Sequence, residues 1–200
     1  DSTGIIYLSL QISGPKHLVR KVNPATGLIN TFAGGGATAI PSGDGNTTVY
    51  VATDISIANA KGLGVDSTNN IYLCDQDRSR VYKITQAGNL TVFAGDGLSG
   101  FAGDGGAAID ASIGRPIAIA FNSADEAYIG CVHTSDPNFT IRKVSGGTIS
   151  TVLRKDLDGF PRSLGDGAVD SADDVFVSEA ANASVGKIVG ATLEAAAGTG

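Results

Sequence analysis

The sequence predicts an all-β protein, specifically a β-propeller built from four-stranded antiparallel blades. One segment type recurs four times along the chain, and each copy contains short strand-like runs separated by turn-forming residues. No window of the sequence has sustained helical periodicity. Repeats with a fixed internal plan are typical of solenoids and propellers, and they have to be recognised before any other feature is interpreted. We therefore expect about four blades.

The repeat is clearest in its second copy, DSTNNIYLCDQDRSRVYKI at residues 66–84. Its first half recurs as DSTGIIYL, NSADEAYI and DSADDVFV, which begin at Asp1, Asn122 and Asp170. Its second half, RVYKI, recurs as LVRKV, TIRKV and SVGKI. A third run follows each time as LINTFAG, LTVFAG, TISTVL and the weaker TLEAAAG. Every copy therefore offers the same succession of strand-forming runs.

Four short strands can be placed in order in the second copy. GLGV (62–65) is a short apolar run, and a turn rich in Asp, Ser and Asn follows it. IYLC (71–74) has the aromatic and branched residues of a strand, and RVYKI alternates polar and apolar residues with a period of two. After a turn in which Gly88 and Asn89 occupy positions that favour positive φ, LTVFAG (90–95) completes an antiparallel meander.

The copies differ most in their first strand and in the linkers that precede it. IAIAF at 117–121 is apolar throughout, as expected of a strand buried on both faces, and DGAV at 166–169 is its weaker counterpart. The first copy begins after this strand. The predicted blades, within one domain of residues 1–200, are approximately 1–34, 62–95, 116–153 and 164–198. Long linkers at 35–61 and 96–115 account for most of the variation in repeat spacing.

The composition argues against a nucleic acid or a membrane as the partner. With 42% apolar and 17% charged residues, the chain can bury a core. The net charge of −6 and the isolated positions of the basic residues do not suit nucleic acid or an anionic membrane surface. No run approaches the roughly 20 apolar residues that span a bilayer. Because the chain has no Met, we expect Asp1 to be a processed or truncated start.

The run GLGVDSTNNIYLCDQDRSRVYKI resembles the NHL repeat. The pattern of that repeat has a Gly-Val-Ala-Val-Asp strand, a Gly-Asn turn, an Ile-Tyr-Val-Ala-Asp strand and an Asn-Arg-Ile-Arg-Lys-Val segment. The linker FAGDGLSGFAGDGGAAIDASIGRPIAIAF resembles the long connection of many secreted and bacterial NHL proteins. The resemblance covers essentially the whole chain and is strongest over residues 62–121. It implies a closed propeller of six blades, which four copies cannot fill.

An unclosed array would expose strand edges at both of its ends, and proteins seldom leave such edges bare. We therefore expect the chain to be a fragment of a longer protein, the alternative being blades that a neighbouring molecule completes. The chain also departs from the NHL pattern at its basic turn. Arg78 and Arg80 keep this turn in the second copy, Asn138 and Phe139 replace it in the third, and Gly186 stands where Arg is usual in the fourth. These departures are where function should be sought.

Candidate metal ligands do not form a recognisable set. Asp96, Asp104 and Asp110 lie on a glycine-rich path, and carboxylates suit Ca²⁺, but their spacing fits neither an EF-hand nor a calcium-binding nonapeptide repeat. We interpret them as turn formers. His17 and His133 fall short of the three ligands of a catalytic zinc site, and the zinc cluster of NHL-like amidating lyases cannot be carried over to them. We expect both to be surface or turn residues, and we predict no metal and no cofactor.

Catalytic motifs are equally hard to place. His133, Thr134, Ser135 and Asp136 have the residue types of a triad, but neighbours in one loop cannot adopt triad geometry with one another. No Gly-x-Ser-x-Gly elbow precedes a helix, and the glycine clusters do not open helices as a phosphate loop would. We therefore predict that the protein is not an enzyme.

Four N-x-[ST] sequons fall in predicted turns or loops, where a glycan fits. They begin at Asn46, Asn89, Asn138 and Asn182. Turn and strand composition also produces such sequences by chance, so their use depends on a secretory origin.

Two further sets recur with the repeat. Cys74 and Cys131 occupy nearly matching places in consecutive copies. They are either two buried free thiols or a disulfide between neighbouring strands, which an oxidising compartment would favour. One lysine recurs in each copy, as Lys21, Lys83, Lys143 and Lys187. These lysines could bind an anionic partner, but alternating charge on exposed strands is the preferred interpretation.

Together these features predict a non-catalytic extracellular or cell-surface module. It would bind a protein partner, or assemble with itself, through edge strands and long loops, for example as a glycosylated subunit of a filament or matrix. Glycans are a further class of partner. The alternative is a propeller-type enzyme, a metal-dependent lyase or hydrolase with an axial site, which fold analogy alone supports. Inward-facing His or acidic residues from several blades would favour the enzyme, and an axis lined by Ala, Gly and Val would favour the module.

Overall fold

A computed structural model describes residues 1–12, 17–41, 48–133, 139–155, 164–179, 184–189 and 192–197. Within these ranges the chain is all-β apart from three short 3-10 turns, which confirms the predicted fold class. Sixteen strands form four antiparallel sheets, and these sheets are the blades of a β-propeller, arranged in a ring. No helix within the described ranges has the length and apolar character needed to cross a membrane.

The strands follow the repeat. Blade 1 contains β1 (Ile6–Gln11), β2 (His17–Asn23) and β3 (Leu28–Gly34). Blade 2 contains β4 (Tyr50–Val51), β5 (Ala60–Val65), β6 (Ile71–Asp75), β7 (Arg80–Ile84) and β8 (Asn89–Ala94). Blade 3 contains β9 (Arg115–Phe121), β10 (Ala127–Val132), β11 (Phe139–Ser145) and β12 (Thr148–Lys155). Blade 4 contains β13 (Leu164–Val169), β14 (Val175–Glu179), β15 (Ser184–Val189) and β16 (Thr192–Ala197).

Among the described strands, blade 1 lacks a counterpart of the first meander strand of the other blades. Blades 2 to 4 each contain a meander whose first strand is β5, β9 or β13, whereas blade 1 has the order β1-β2-β3. This agrees with the prediction that the first copy begins after its first strand. The predicted linker before blade 2 also contributes a strand, β4, which pairs with the outer strand β8. The sequence did not indicate this fifth strand.

The first turn of each blade is organised by its leading Asp or Asn. In blade 2 one carboxylate oxygen of Asp66 accepts the backbone N–H groups of Thr68 at 3.0 Å and Asn70 at 2.8 Å. Burial acts to raise the pKa of Asp66, but hydrogen bonds from Asn70, Thr68 and Tyr72 outweigh it and lower the pKa. The same side chain-to-backbone pattern recurs at Asp1, Asn122 and Asp170. Such local bonds favour turns over continued strands.

The hydrophobic cores lie between blades rather than within them. Each of the three clusters joins two successive blades, and each contains a tyrosine from one blade and two apolar side chains from the next. The sets are Tyr7 with Ile71 and Leu73, Tyr72 with Ala127 and Ile129, and Tyr128 with Val175 and Val177. Among the described residues, no such cluster joins blade 4 to blade 1.

Buried arginines attach the long linkers to the blades. Arg142 on β11 is 0% exposed, and its guanidinium donates to the backbone oxygens of Ser112 at 3.2 Å and Ala102 at 3.3 Å. It also pairs with the carboxylate of Asp104 at 2.6 Å. Buried charges of this kind persist only when they are hydrogen-bonded. This side chain therefore helps to hold the linker of residues 96–115 to blade 3, together with backbone hydrogen bonds such as that from the Gly105 N–H to the Ile149 oxygen at 2.8 Å.

Arg80 performs the same task in blade 2. Its guanidinium donates to the backbone oxygens of Ile40 at 2.9 Å, Pro41 at 2.6 Å and Asp96 at 3.2 Å. Arg80 thus ties together two linkers that precede successive blades. The sequence placed Arg80 in the basic turn of the repeat, and the structure places it at the start of β7, where it is 3% exposed.

We predict that Arg142→Ala lowers the free energy of unfolding by roughly 3 kcal/mol, because two linker carbonyls lose their donor and a cavity remains. Arg20 stands at the same position of the repeat, but its bond to the hydroxyl of Thr31 is exposed. Arg20→Ala should therefore change stability by only about 0.5 kcal/mol. Denaturant unfolding of both variants measures the difference, and equal effects would show that the linker is not held in this way.

Candidate functional site

A groove of about 510 Å³ lies on the inner side of the ring, beside the strand at which blade 1 is incomplete. β1 pairs with β2 on one side, and no described strand pairs with its other edge. The groove is lined by Tyr7, Leu8 and Ser9 of β1, by Ala60, Lys61, Gly62 and Leu63 of β5, and by Ile117 and Asp166. The vacant edge and the groove therefore coincide.

The groove continues along β1. A second hollow of about 300 Å³ lies between Ile5, Ile6 and Tyr7 on one side and Leu63 and Gly64 on the other. The two hollows share Tyr7 and Leu63. Together they extend along β1 from residue 5 to residue 9, which is the length of a short strand.

The groove is chemically mixed rather than catalytic in type. Its charged side chains, Lys61 and Asp166, are both exposed. The hydroxyl of Ser9 donates to the backbone oxygen of Lys61 at 3.2 Å and links the two walls. Within the described ranges, no group of three or more His, Cys, Asp or Glu side chains could hold a metal ion. What the groove offers is a strand edge with which no described strand pairs, between walls that contain both polar and apolar residues.

Blade 1 also has an uncovered apolar face. Ile6, Leu8 and Leu10 alternate along β1 and are 49%, 44% and 43% exposed. Tyr7, which points to the opposite side, packs on blade 2. The residues of blades 2 to 4 that correspond to Ile6 and Leu8 are at most 6% exposed: Ile71, Leu73, Ala127, Ile129, Val175 and Val177. Blade 1 therefore exposes the surface that each later blade buries.

The repeat lysines are partly exposed, with side-chain exposures of 36% for Lys83, 28% for Lys143 and 34% for Lys187, so their role as alternating surface charge stays a prediction. Each ammonium group lies over an aromatic ring, at 5.9 Å from the Tyr7 ring for Lys21 and 5.4 Å from the Tyr72 ring for Lys83. Lys143 lies 5.7 Å from the Tyr128 ring. Carboxylates accompany Lys83, Lys143 and Lys187, namely Asp66, Glu126 and Asp174. Cation–π contact and ion pairing together fix the lysines in place.

Polar contacts also repeat between the blades, and we call them the serine clamp. The backbone N–H and the hydroxyl of Ser67 donate to the carboxylate of Asp125 in the next blade, at 2.9 and 2.6 Å. The other two pairs are Ser2 with Asn69, and Ser123 with Asp173. Asn69, Asp125 and Asp173 all have positive φ, between 57° and 64°. Donation by the backbone and side chain of Ser123 lowers the pKa of Asp173.

The two cysteines are buried free thiols in the core between blades 2 and 3. Burial raises the pKa of both thiols, to about 12 for Cys131. Since the thiolate is the reactive form, neither is suited to nucleophilic chemistry. The disulfide remains a prediction, which a thiol count after unfolding tests.

Of the sequons, the structure describes only the one at Asn89. Asn89 is exposed at the start of β8. Of Gly88 and Asn89, which were both predicted to favour positive φ, Gly88 has it, at 83°. Asn46, Asn138 and Asn182 lie outside the described residues, as do the predicted triad-type residues Thr134, Ser135 and Asp136.

The carboxylates of the Gly-Asp loop have structural partners. Asp96 accepts the Leu98 N–H at 2.7 Å and the Ser112 hydroxyl at 2.8 Å, while Asp104 pairs with Arg142. Asp110 lies in the first turn of a 3-10 segment. These contacts agree with the interpretation of the Gly-Asp residues as parts of a connection.

The histidines do not come together. His17 begins β2 and is 7% exposed, so the expectation of a surface residue is wrong for it. The His133 ring lies 5.3 Å from that of Phe101.

The sequence analysis missed the groove as a site, although the start of the first copy at its turn was a signal for the free edge of β1. It also missed the burial of Arg80 and Arg142, since burial depends on the linkers that cover them.

No known family profile matches the chain, and no curated protein matches it. Solved β-propeller structures do match. A streptogramin B lyase has a TM-score of 0.54 and 15% identity, with 96% of this chain and 58% of that chain covered. A virginiamycin B lyase from Staphylococcus aureus has a TM-score of 0.51 and 14% identity, over 97% of this chain and 66% of that one. A putative gluconolactonase has a TM-score of 0.56 and 9% identity, over 96% and 66%.

At these identities the likeness shows the propeller fold alone. The chain spans 58% to 66% of the length of these neighbours, so their propellers extend beyond the part that it matches.

Proposed function

We propose that the protein is a non-catalytic propeller module of the NHL type that binds proteins, and that a partner's extended strand binds in the axial groove beside β1. The observation that carries this proposal is the groove of about 510 Å³ along β1, beside the edge with which no described strand pairs. Exposed strand edges are templates for pairing with another chain. Main-chain hydrogen bonds would supply affinity, and the side chains that line the groove would supply specificity.

The other blades indicate what kind of strand fits. The corresponding position is occupied by β5 in blade 2 and by β9 in blade 3. These inner strands approach closely, since a Cβ on Gly62 would lie 2.7 Å from the backbone oxygen of Ile117. A partner strand would therefore need small residues where it faces β5. Lys61 and Asp166 carry opposite charges, so a segment with little net charge suits the groove.

We predict that a labelled peptide with the sequence of β5, AKGLGV (60–65), binds the protein saturably when measured by fluorescence anisotropy. A matched peptide with Pro in place of the residue corresponding to Gly64 should bind at least tenfold more weakly, because Pro removes a ladder donor. In the protein, Ser9→Arg should weaken binding by placing a long side chain in the groove, whereas Thr26→Arg in the exposed turn between β2 and β3 should not. Equal binding of both peptides would contradict pairing at the β1 edge.

An extracellular or cell-surface location is part of the proposal. It is supported by the four sequons and by the resemblance to the long linkers of secreted NHL proteins. Among the four sequons, Asn89 is the one that the structure describes, and its exposed side chain makes it suitable for a test of glycosylation. Glycosylation requires an accessible Asn in this kind of sequence.

We predict that the peptide containing Asn89, isolated from protein secreted by a eukaryotic host, loses mass equal to an N-glycan on treatment with an N-glycosidase. Thr91→Ala, which removes the sequon while keeping Asn89, should abolish the shift. An unmodified Asn89 in protein that has passed through the secretory pathway would contradict use of this site.

The alternative of a propeller enzyme draws support from the names of the solved neighbours, which include lyases and gluconolactonases, at 15% identity or less. The groove has one carboxylate, from Asp166, and no histidine among its lining residues. Acidic or histidine side chains from several blades therefore do not converge there. Assays of lactone hydrolysis and streptogramin cleavage test the alternative, and turnover by the purified protein would establish it.

A further inference from the structure

The chain contains five Asp-Gly pairs, and the structure describes three of them, which begin at Asp96, Asp104 and Asp166. In such a pair the backbone nitrogen of the glycine can attack the carboxyl carbon of the aspartate, because glycine has no side chain to shield that nitrogen. The rate of this kind of reaction depends on how closely the two groups are held to attack geometry. The three pairs have the same local chemistry, so their surroundings decide which of them reacts.

At Asp166 the carboxylate contacts the nitrogen of the following glycine. The backbone N–H of Gly167 donates to Oδ1 of Asp166 at 2.9 Å. Asp166 lies on β13, where the pairing with β14 shifts in register between Leu164 and Gly167. A bulge of this kind takes its extra residue out of the regular ladder of strand hydrogen bonds. The carboxylate of Asp166 can therefore turn toward its own chain.

A serine hydroxyl holds the backbone of Asp166 in this bulge. The Asp166 N–H donates to the hydroxyl oxygen of Ser178 at 2.8 Å, and that hydroxyl donates to the backbone oxygen of Asp166 at 3.2 Å. These contacts all lie within blade 4, so they do not depend on what adjoins the described blades. Asp166 is exposed, which gives water access to it.

The carboxylate of Asp96 is engaged elsewhere. One of its oxygens accepts the N–H of Leu98 at 2.7 Å, and the other accepts the hydroxyl of Ser112 at 2.8 Å. Both oxygens thus have partners other than the nitrogen of the following glycine.

The same holds for Asp104, whose carboxylate is bound by blade 3. One oxygen pairs with the guanidinium of Arg142 at 2.6 Å, and the other accepts the N–H of Thr151 at 3.1 Å. The N–H of Gly105 donates to the backbone oxygen of Ile149 at 2.8 Å. Carboxylate and nitrogen are therefore held by different partners in this pair.

We propose that Asp166 is a modification site, at which aspartate isomerises spontaneously to isoaspartate through a succinimide formed with Gly167. The Gly167 nitrogen forms a bond to Cγ of Asp166, and the OH group of the protonated carboxyl leaves as water with the proton of that nitrogen. Water then opens the ring at either carbonyl, which regenerates aspartate or gives isoaspartate. The reaction needs no oxidant or reductant.

Isomerisation changes the inner strand of blade 4. The backbone of isoaspartate runs through the former side chain, so β13 gains one methylene and the α-carboxylate becomes a side group. Asp166 lines the axial groove, so the wall of the groove changes with it. The inference itself does not depend on the proposed strand binding, because its evidence is the contact between Asp166 and Gly167.

The test is a time course of isoaspartate formation in the purified chain at neutral pH. After digestion, electron-transfer fragmentation distinguishes isoaspartate from aspartate in the three peptides, although the two forms have equal mass. In the folded chain, we expect isoaspartate to accumulate at Asp166 at least about tenfold faster than at Asp96 or Asp104. In the chain unfolded with urea, where these contacts are lost, the three rates should be similar.

Gly167→Ala provides the matched variant. A Cβ on Gly167 would lie 3.6 Å from the backbone oxygen of Phe176 and 3.8 Å from the Cβ of Ala118, and the φ of Gly167 is not in the left-handed region. The variant should therefore fold, which circular dichroism checks. Isomerisation at Asp166 should slow about tenfold, because the added methyl group hinders attack by the nitrogen. Equal rates at the three pairs of the folded chain, or an unchanged rate in Gly167→Ala, would overturn the inference.

Discussion

Burial of one sheet face against the next blade is the constraint on which this structure depends. Each blade has too little thickness to enclose a core, so its apolar residues are covered by a neighbour. Tyr72, for example, is 3% exposed because blade 3 packs over it, and Leu73 on the other side of the same strand is 0% exposed against blade 1. Because successive side chains of β6 point to opposite faces, this one strand contributes to two blade interfaces. Blade 1 has no described neighbour on one side, and its Leu8 is exposed for that reason.

Polar contacts give these apolar interfaces a direction and a register. The clamp from Ser67 to Asp125 joins turns of successive blades, and the lysine over each tyrosine fills the space beside the apolar contact. Farther out, Arg142 satisfies linker carbonyls that no strand reaches. These groups occupy fixed places in the repeat, which explains why the same residue types return. The groove that we propose as a binding site lies beside the edge of β1 with which no described strand pairs.

The sequence predicted the blades well because their strands and turns are encoded locally. The recurring DST-type turn and the period-two strands predicted the meander, and the first copy's start at this turn predicted three strands for the described part of blade 1. Features that depend on distant residues were not predictable in the same way. Arg20 and Arg142 share a repeat position, yet only Arg142 is covered by a linker. His17 looked like a turn residue, and burial at the start of β2 removes it from the surface. The groove could not be predicted from the sequence, because its position depends on how the blades are arranged and on which edge of β1 faces the inner side of the ring.

The central claim is that a partner's strand pairs with the edge of β1 that lies beside the groove. Hydrogen–deuterium exchange of the dilute protein tests it most directly, by comparing β1 with β6, the corresponding strand of blade 2. Amides of residues 6–11 should exchange at least a hundredfold faster than those of residues 71–75, since a strand that is paired at one edge and has one exposed face opens more readily. Protection of β1 should then rise with added β5 peptide. Protection of β1 equal to that of β6, unchanged by the peptide, would contradict the account.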